Sequence, residues 1–135
     1  MKQLVEKLVT MEREISEERG TFALFALFLR EDALDKWDLV ASAPWLEEDK
    51  KESLAYLSDR LRSHLTDEEL LSFSRIVLVD RDNPFLEAIK KAIQKAVSLE
   101  HGIVEVKDSN FFGLEISHAY IITSKRQQVL DTQSL

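Results

Sequence analysis

The sequence predicts an α/β fold in which helices pack on a mixed five-strand sheet, and three observations predict it. Apolar residues make up 44% of the 135 residues and charged residues 32%, which is typical of a globular protein. Segments with helical apolar spacing alternate with short apolar runs typical of strands. Only three Gly and two Pro interrupt them. The predicted order of elements is α-ββ-α-β-α-ββ, in one domain over residues 1–124, and a polar, flexible tail follows at 125–135.

Residues 1–19 are expected to form an amphipathic helix, because apolar residues recur at spacings of four, three and four. This stripe consists of Leu4, Leu8, Met11 and Ile15. The favoured interpretation is that the stripe packs on the sheet. The alternative is an interface for self-association, because the spacing also resembles two coiled-coil heptads.

Five segments are expected to form strands. Phe22 to Leu29 is an uninterrupted apolar run, as expected for a strand covered on both faces, and Lys36 to Ala43 completes a hairpin with it. The others are Ser74 to Val79, Gly102 to Lys107, and Phe112 to Ser124, with a turn predicted at residues 108–110.

The helices between the strands carry recognisable start signals. Pro44 is expected to begin a helix, whose buried stripe is Leu54, Leu57, Leu61 and Leu65. Thr66 and Glu69 have the spacing of a capping box, with Leu65 and Leu70 as its hydrophobic staple. Asn83 and Pro84 predict the cap and first residue of a helix that runs to about Leu99.

Helices that link successive strands predict that the second, third and fourth strands run parallel. Ligands favour the carboxyl edge of such strands, where Asp80, Asp82 and Asp108 are then expected to meet. The apolar strand that ends in Asp80-Arg81-Asp82 resembles the first motif of haloacid-dehalogenase-type phosphotransferases. That resemblance implies a nucleophile at Asp80, an acid/base at Asp82 and a Mg²⁺ ion. The simpler interpretation is a turn with a helix cap.

Two further patterns are weaker candidates for catalysis. Glu105 and Lys107 form a Glu-x-Lys sequence that resembles half of the metal site of restriction-type nucleases. Asp38 is then the nearest candidate for the third ligand. The simpler explanation is that Glu105 and Lys107 alternate with valines because they lie on the solvent-exposed face of a strand. His118 lies in register with Leu114, Ile116, Tyr120 and Ile122, which predicts a buried, hydrogen-bonded histidine, with a general base as the alternative. His64 and His101 have no partner at metal-ligand spacing.

Composition limits the classes of partner. A formal net charge of −7 makes nucleic-acid binding an unfavoured function, and Lys90, Lys91 and Lys95 are interpreted as a solvated helix face. The chain contains no Cys, which fits a cytoplasmic location, and no apolar run approaches the length of a membrane span. Trp37 and Trp45 flank the second strand and could cover the sheet edge or anchor an interface.

Three segments together resemble a family of small uncharacterised prokaryotic proteins: residues 25–46, residues 74–85 and residues 118–124. That resemblance implies a single compact domain and assigns no activity. The sequence favours a non-catalytic protein-interaction module, with self-association as one mode and no cofactor. The alternative is a Mg²⁺-dependent enzyme that acts on phosphate esters through the acidic edge.

Overall fold

A computed structural model describes residues 2–32, 36–95, 103–111 and 114–124. Its helices are α1 (Lys2–Arg19), α2 (Pro44–Glu48), α3 (Lys50–His64), α4 (Asp67–Leu70) and α5 (Pro84–Lys95). Its strands are β1 (Leu24–Arg30), β2 (Trp37–Ser42), β3 (Phe73–Leu78), β4 (Val104–Phe111) and β5 (Leu114–Ser124). The predicted tail, His101 and the predicted end of the last helix at Leu99 lie outside the described residues.

The strands form one mixed sheet in the order β3-β2-β1-β5-β4, which confirms the predicted α/β class. β2 and β3 are parallel, whereas the pairs β1–β2, β1–β5 and β4–β5 are antiparallel. The long apolar run predicted as a doubly covered strand is therefore β1, at the centre of the sheet.

The predicted direction of the last two strands is wrong. β5, not β4, shares the direction of β2 and β3, because β5 is antiparallel to β1 and β4 is antiparallel to β5. The prediction assumed that a helix between two strands makes them parallel neighbours. Here α5 separates strands at opposite edges of the sheet, so the rule for adjacent parallel strands does not apply.

Helices cover both faces of the sheet. On the first, here called the α1 face, α1 and α3 bury side chains such as Leu8, Met11 and Leu57 against β1 and β2. On the opposite face, here called the α5 face, Leu86 and Ile89 pack against the other set of strand residues. Since successive strand residues alternate between faces, β1 supplies Phe25 and Leu27 to the first core, and Leu24, Ala26 and Phe28 to the second. None of the described helices combines the length and the apolar character needed to cross a bilayer.

The helix predicted to begin at Pro44 is two helices. The chain leaves helical geometry at Asp49, whose side chain accepts a hydrogen bond from the Glu52 N–H and caps α3. Leu57, Leu61 and Leu65 are buried as predicted, but Leu54 is 39% exposed. Leu54 therefore does not belong to the buried stripe.

The turn predicted at residues 108–110 lies within β4, which continues to Phe111. Asp108 adopts a left-handed φ of 48°, which is uncommon outside glycine. Lys107 pairs with His118 and Ser109 with Ile116, so Asp108 and Ser117 both fall between paired positions. The hairpin closes between Phe111 and Leu114 instead.

Candidate functional site

The predicted acidic edge is an ion-pair network at the carboxyl end of β3. The Lys50 ammonium lies 2.8 Å from an Asp80 carboxylate oxygen, and this hydrogen bond raises the pKa of Lys50. Arg81 donates from both its backbone N–H and its side-chain Nε to Glu47, which lowers the pKa of the Glu47 carboxyl. Lysine and arginine side chains therefore already compensate the carboxylates that flank this edge.

Asp108 does not join Asp80 and Asp82. It lies within β4, at the opposite edge of the sheet from β3. In addition, β4 runs against the predicted direction. Asp82 is exposed. Among the described residues, no group of three or more His, Asp and Glu side chains is arranged to hold a metal ion.

His118 lies in an aromatic cluster on the α1 face. Its ring stacks on Tyr120, with 4.7 Å between the ring centroids, and Trp37 lies 5.8 Å from it. The prediction that His118 shares one face of the strand with Ile116, Tyr120 and Ile122 is only partly right. Tyr120 and Ile122 share the α1 face, but Ile116 packs on the α5 face. The irregular pairing of β1 with β5 skips Ser117, which shifts the alternation by one residue.

The His118 side chain is 24% exposed and its Nε2 is hydrogen-bonded to the Glu105 carboxylate of β4. It is therefore half-buried rather than buried, and hydrogen-bonded as predicted. Burial, followed by the charge of Glu105, raises the pKa of Tyr120. A carboxylate that fixes an imidazole in this way is found in general bases and in structural pairs alike.

The Glu-x-Lys pattern has no third ligand at Asp38. Glu105 pairs across the hairpin with Tyr120 on the α1 face. Asp38 pairs with Phe28, which packs on the α5 face. The two carboxylates therefore lie on opposite sides of the sheet.

Asp38 has a structural role that the sequence does not indicate. The residue is 2% exposed, and its Oδ2 accepts from the Nε atoms of Arg30 at 2.8 Å and Arg75 at 3.2 Å. One carboxylate thus links β1, β2 and β3. Breaking such a buried pair on one side leaves an uncompensated charge.

The predicted interface stripe of α1 is part of the core. Its four members are 0–7% exposed and pack against β1, β2 and α3: Leu4, Leu8, Met11 and Ile15. These side chains pack in the core, as the favoured interpretation predicted. None of the four is exposed enough to contact a partner. Trp37 is half-buried in the aromatic cluster, and Trp45 is 9% exposed.

Trp45 forms one wall of a cleft that no pattern in the sequence indicates. The Arg19 guanidinium, at the end of α1, lies 5.2 Å from the Trp45 ring centroid and 4.7 Å from that of Tyr56. Both distances are within the range of cation–π attraction. The two rings meet edge to face at 89°. We call the Trp45 and Tyr56 rings, with the space between them that the Arg19 guanidinium occupies, the box.

Local backbone features fix this box. Gly20 ends α1 with φ 121°, a conformation that favours glycine. Its carbonyl accepts a hydrogen bond from Trp45 Nε1 at 3.1 Å. A Cβ at position 20 would lie 3.3 Å from Trp45 Cδ1. The end of α1 and the indole are therefore held together.

Three of the other residues that line the cleft are acidic. Its volume is about 270 Å³, and its lining residues are Arg19, Trp45, Glu48, Asp49, Glu52 and Ser53. We call it the acidic–aromatic cleft. Burial, and then the charge of Glu18, raises the pKa of Tyr56. Sequence alone could not reveal this site, because its lining residues Arg19, Trp45 and Glu52 are contributed by three different helices.

Comparison of the chain with family models, with curated proteins and with solved structures finds no match. The resemblance to a family of small prokaryotic proteins therefore stays a prediction.

Proposed function

We propose that this chain is a protein-interaction module that binds a cationic side chain of a partner protein in the acidic–aromatic cleft. The observation that carries the proposal is the position of Arg19, whose guanidinium contacts the faces of both Trp45 and Tyr56. The position of the protein's own arginine supports the proposal, because a guanidinium already lies against both rings. A partner's arginine or lysine would occupy the same place.

The charges around the cleft support this choice of ligand. Glu48, Asp49 and Glu52 supply three carboxylates against one guanidinium, and the whole chain carries a formal net charge of −7. An acidic surface speeds the approach of a basic partner and disfavours nucleic acid. A location in the cytoplasm belongs to the same proposal, supported by the lack of cysteine.

Arg19 is a competitor for the incoming cation in this proposal. Its side chain must leave the box before a second guanidinium can enter. The free energy needed to displace Arg19 therefore lowers the observed affinity for the partner. Replacing Arg19 with alanine should therefore strengthen the binding of a basic peptide, although the substitution also removes a contact from the free protein.

Fluorescence provides a direct measurement. In a Trp37→Phe variant, Trp45 is the only tryptophan and reports on the cleft. We expect an arginine-rich peptide to change its emission in a saturable manner, and Arg19→Ala to lower the Kd. A Glu48→Gln, Glu52→Gln double variant should weaken binding by about tenfold, since each neutralised charge removes up to ~1 kcal/mol.

The matched control is the double variant Glu6→Gln, Glu17→Gln, which removes the same charge from exposed positions of α1 outside the cleft. It should weaken binding much less than the cleft variant. Equal losses in the two variants would reduce the effect to general charge attraction. Arg19→Ala without any gain in affinity would show that the box is not the binding site.

An enzyme acting on phosphate esters at the acidic edge is the less favoured function. Asp80 is paired with Lys50, and Asp108 lies across the sheet. The magnesium titration described in the Discussion tests that alternative.

A further inference from the structure

The outer side of β3 carries backbone groups without a described partner. β3 is the edge strand next to β2, and the Val79 N–H donates to Ala41 O at 2.9 Å. Because Ala41 is in register with Leu78, the parallel pattern turns residues 77 and 79 towards β2 and residues 76 and 78 outward. An exposed edge of this kind is a template for another strand.

The two edges of the sheet differ. On β4, Lys107, Asp108 and Asn110 are exposed, and Asp108 breaks the regular backbone with its φ of 48°. Exposed charges and backbone irregularities of this kind protect an edge from pairing. In the described part of β3, Arg75 is the only charged side chain, and Val77 and Leu78 are half-buried.

The most exposed of the large apolar side chains described lies close to the same edge in the sequence. Leu71, two residues before β3, is 70% exposed, the largest value among the large apolar side chains described as exposed. Phe73 and Ile76 are half-buried on the α1 face. A strand laid along β3 would cover these side chains in addition to pairing with the backbone.

We propose that β3 pairs antiparallel with β3 of a second copy of this chain, in a register centred on Ile76. Outward-facing Ile76 would then exchange two N–H···O=C bonds with the partner's Ile76. Arg75 would face the partner's Val77 rather than another arginine, so no like charges stand directly opposite. The two five-strand sheets would become one continuous sheet.

Charge complementarity supports a second copy as the occupant. An antiparallel arrangement brings the end of one β3 to the beginning of the other. It therefore places the partner's Arg81, whose guanidinium also bonds Glu47 of its own chain, beside Leu71 and the acidic helix α4, which begins Asp67-Glu68-Glu69. The symmetry repeats this contact at the other end, as a twofold interface requires. This surface is separate from the acidic–aromatic cleft, and the inference does not depend on the proposed function.

Pairing of one short strand buries little surface, and interfaces below about 1,000 Å² are weak. We therefore expect a monomer–dimer equilibrium that sedimentation resolves at high micromolar concentration. Ile76→Pro should abolish the dimer and keep the fold, since proline is tolerated where the N–H of an edge strand points outward. The matched variant Val77→Pro removes an N–H that faces β2 and should destabilise the monomer.

Amide exchange tests the register without any substitution. Protection of the Ile76 and Leu78 amides should increase with protein concentration, whereas that of Val77 and Val79 should not change. This measurement decides the question even if Ile76→Pro fails to fold. A protein that stays monomeric at millimolar concentration would overturn the proposal, as would a dimer whose Ile76 exchange is independent of concentration.

Discussion

Thr66 and Glu69 form a reciprocal pair at the start of α4. The Thr66 hydroxyl accepts from the Glu69 N–H at 3.1 Å, and the Glu69 carboxylate accepts from the Thr66 N–H at 2.9 Å. The same carboxylate lies 2.7 Å from the Lys7 ammonium of α1. This hydrogen bond to Lys7, followed by that from Thr66, lowers the pKa of Glu69. The cap therefore also connects α4 to the first helix.

Replacing Thr66 with alanine should lower the free energy of unfolding by about 1 kcal/mol, because a helix-terminal N–H loses its acceptor. Replacing it with glycine should cost only a few tenths of a kcal/mol, since glycine is itself a favourable residue at this position. Urea titrations of the two variants provide the measurement. Equal losses, or no loss in the alanine variant, would contradict the assigned cap.

Residue-scale features could be predicted wherever their determinants are adjacent in sequence. The capping box was predicted correctly because its residues lie three positions apart. The surroundings of His118 could not be predicted in full, since the irregularity at Ser117 depends on pairing with β1. The ion pair of Asp38 with Arg75 joins different strands and has no local signal.

At the scale of elements, α3 separates buried from exposed positions within a single turn. Leu57 is fully buried between the sheet and α1, whereas Leu54 is 39% exposed. Both residues were predicted to share one stripe. The start of α3 at Lys50, set by the Asp49 cap, separates it from α2.

Leu57→Ala should lower the free energy of unfolding by about 2–5 kcal/mol, because it removes buried apolar volume and leaves a cavity. Leu54→Ala makes the same chemical change at an exposed position of the same helix, and it should cost less than about 1 kcal/mol. Thermal or chemical unfolding of the pair measures the difference. Similar losses in the two variants would show that the α3 face is assigned incorrectly.

At the scale of the whole molecule, topology decides which polar groups meet. The order of elements followed from apolar spacing and helix start signals, because these signals depend only on residues that are close together in the sequence. The pairing of β4 with β5 was predicted as a hairpin. The spatial order of the strands did not follow, since no local pattern indicates that β5 pairs with β1 and leaves β4 at the far edge. The expected cluster of Asp80, Asp82 and Asp108 depended on that order and is wrong.

Millimolar magnesium should therefore not raise the Tm of this protein at constant ionic strength. A cation that binds only the folded state would stabilise it, but Lys50 already compensates Asp80. Differential scanning calorimetry with magnesium, and with sodium chloride of matched ionic strength, provides the comparison. A magnesium-specific rise that disappears in Asp82→Asn would restore the acidic edge as a metal site.

The central position of β1 has a consequence for the order of events during synthesis. β1 pairs on one side with β2, which follows it directly, and on the other side with β5, whose partners run from Ile116 to Ser124. A ribosome extends the chain at about 5–20 residues per second, so β5 emerges several seconds after β1. During that interval β1, the most apolar of the described strands, has one side without its strand partner. Nascent chains stalled before residue 114 should therefore bind chaperones more strongly than the released protein.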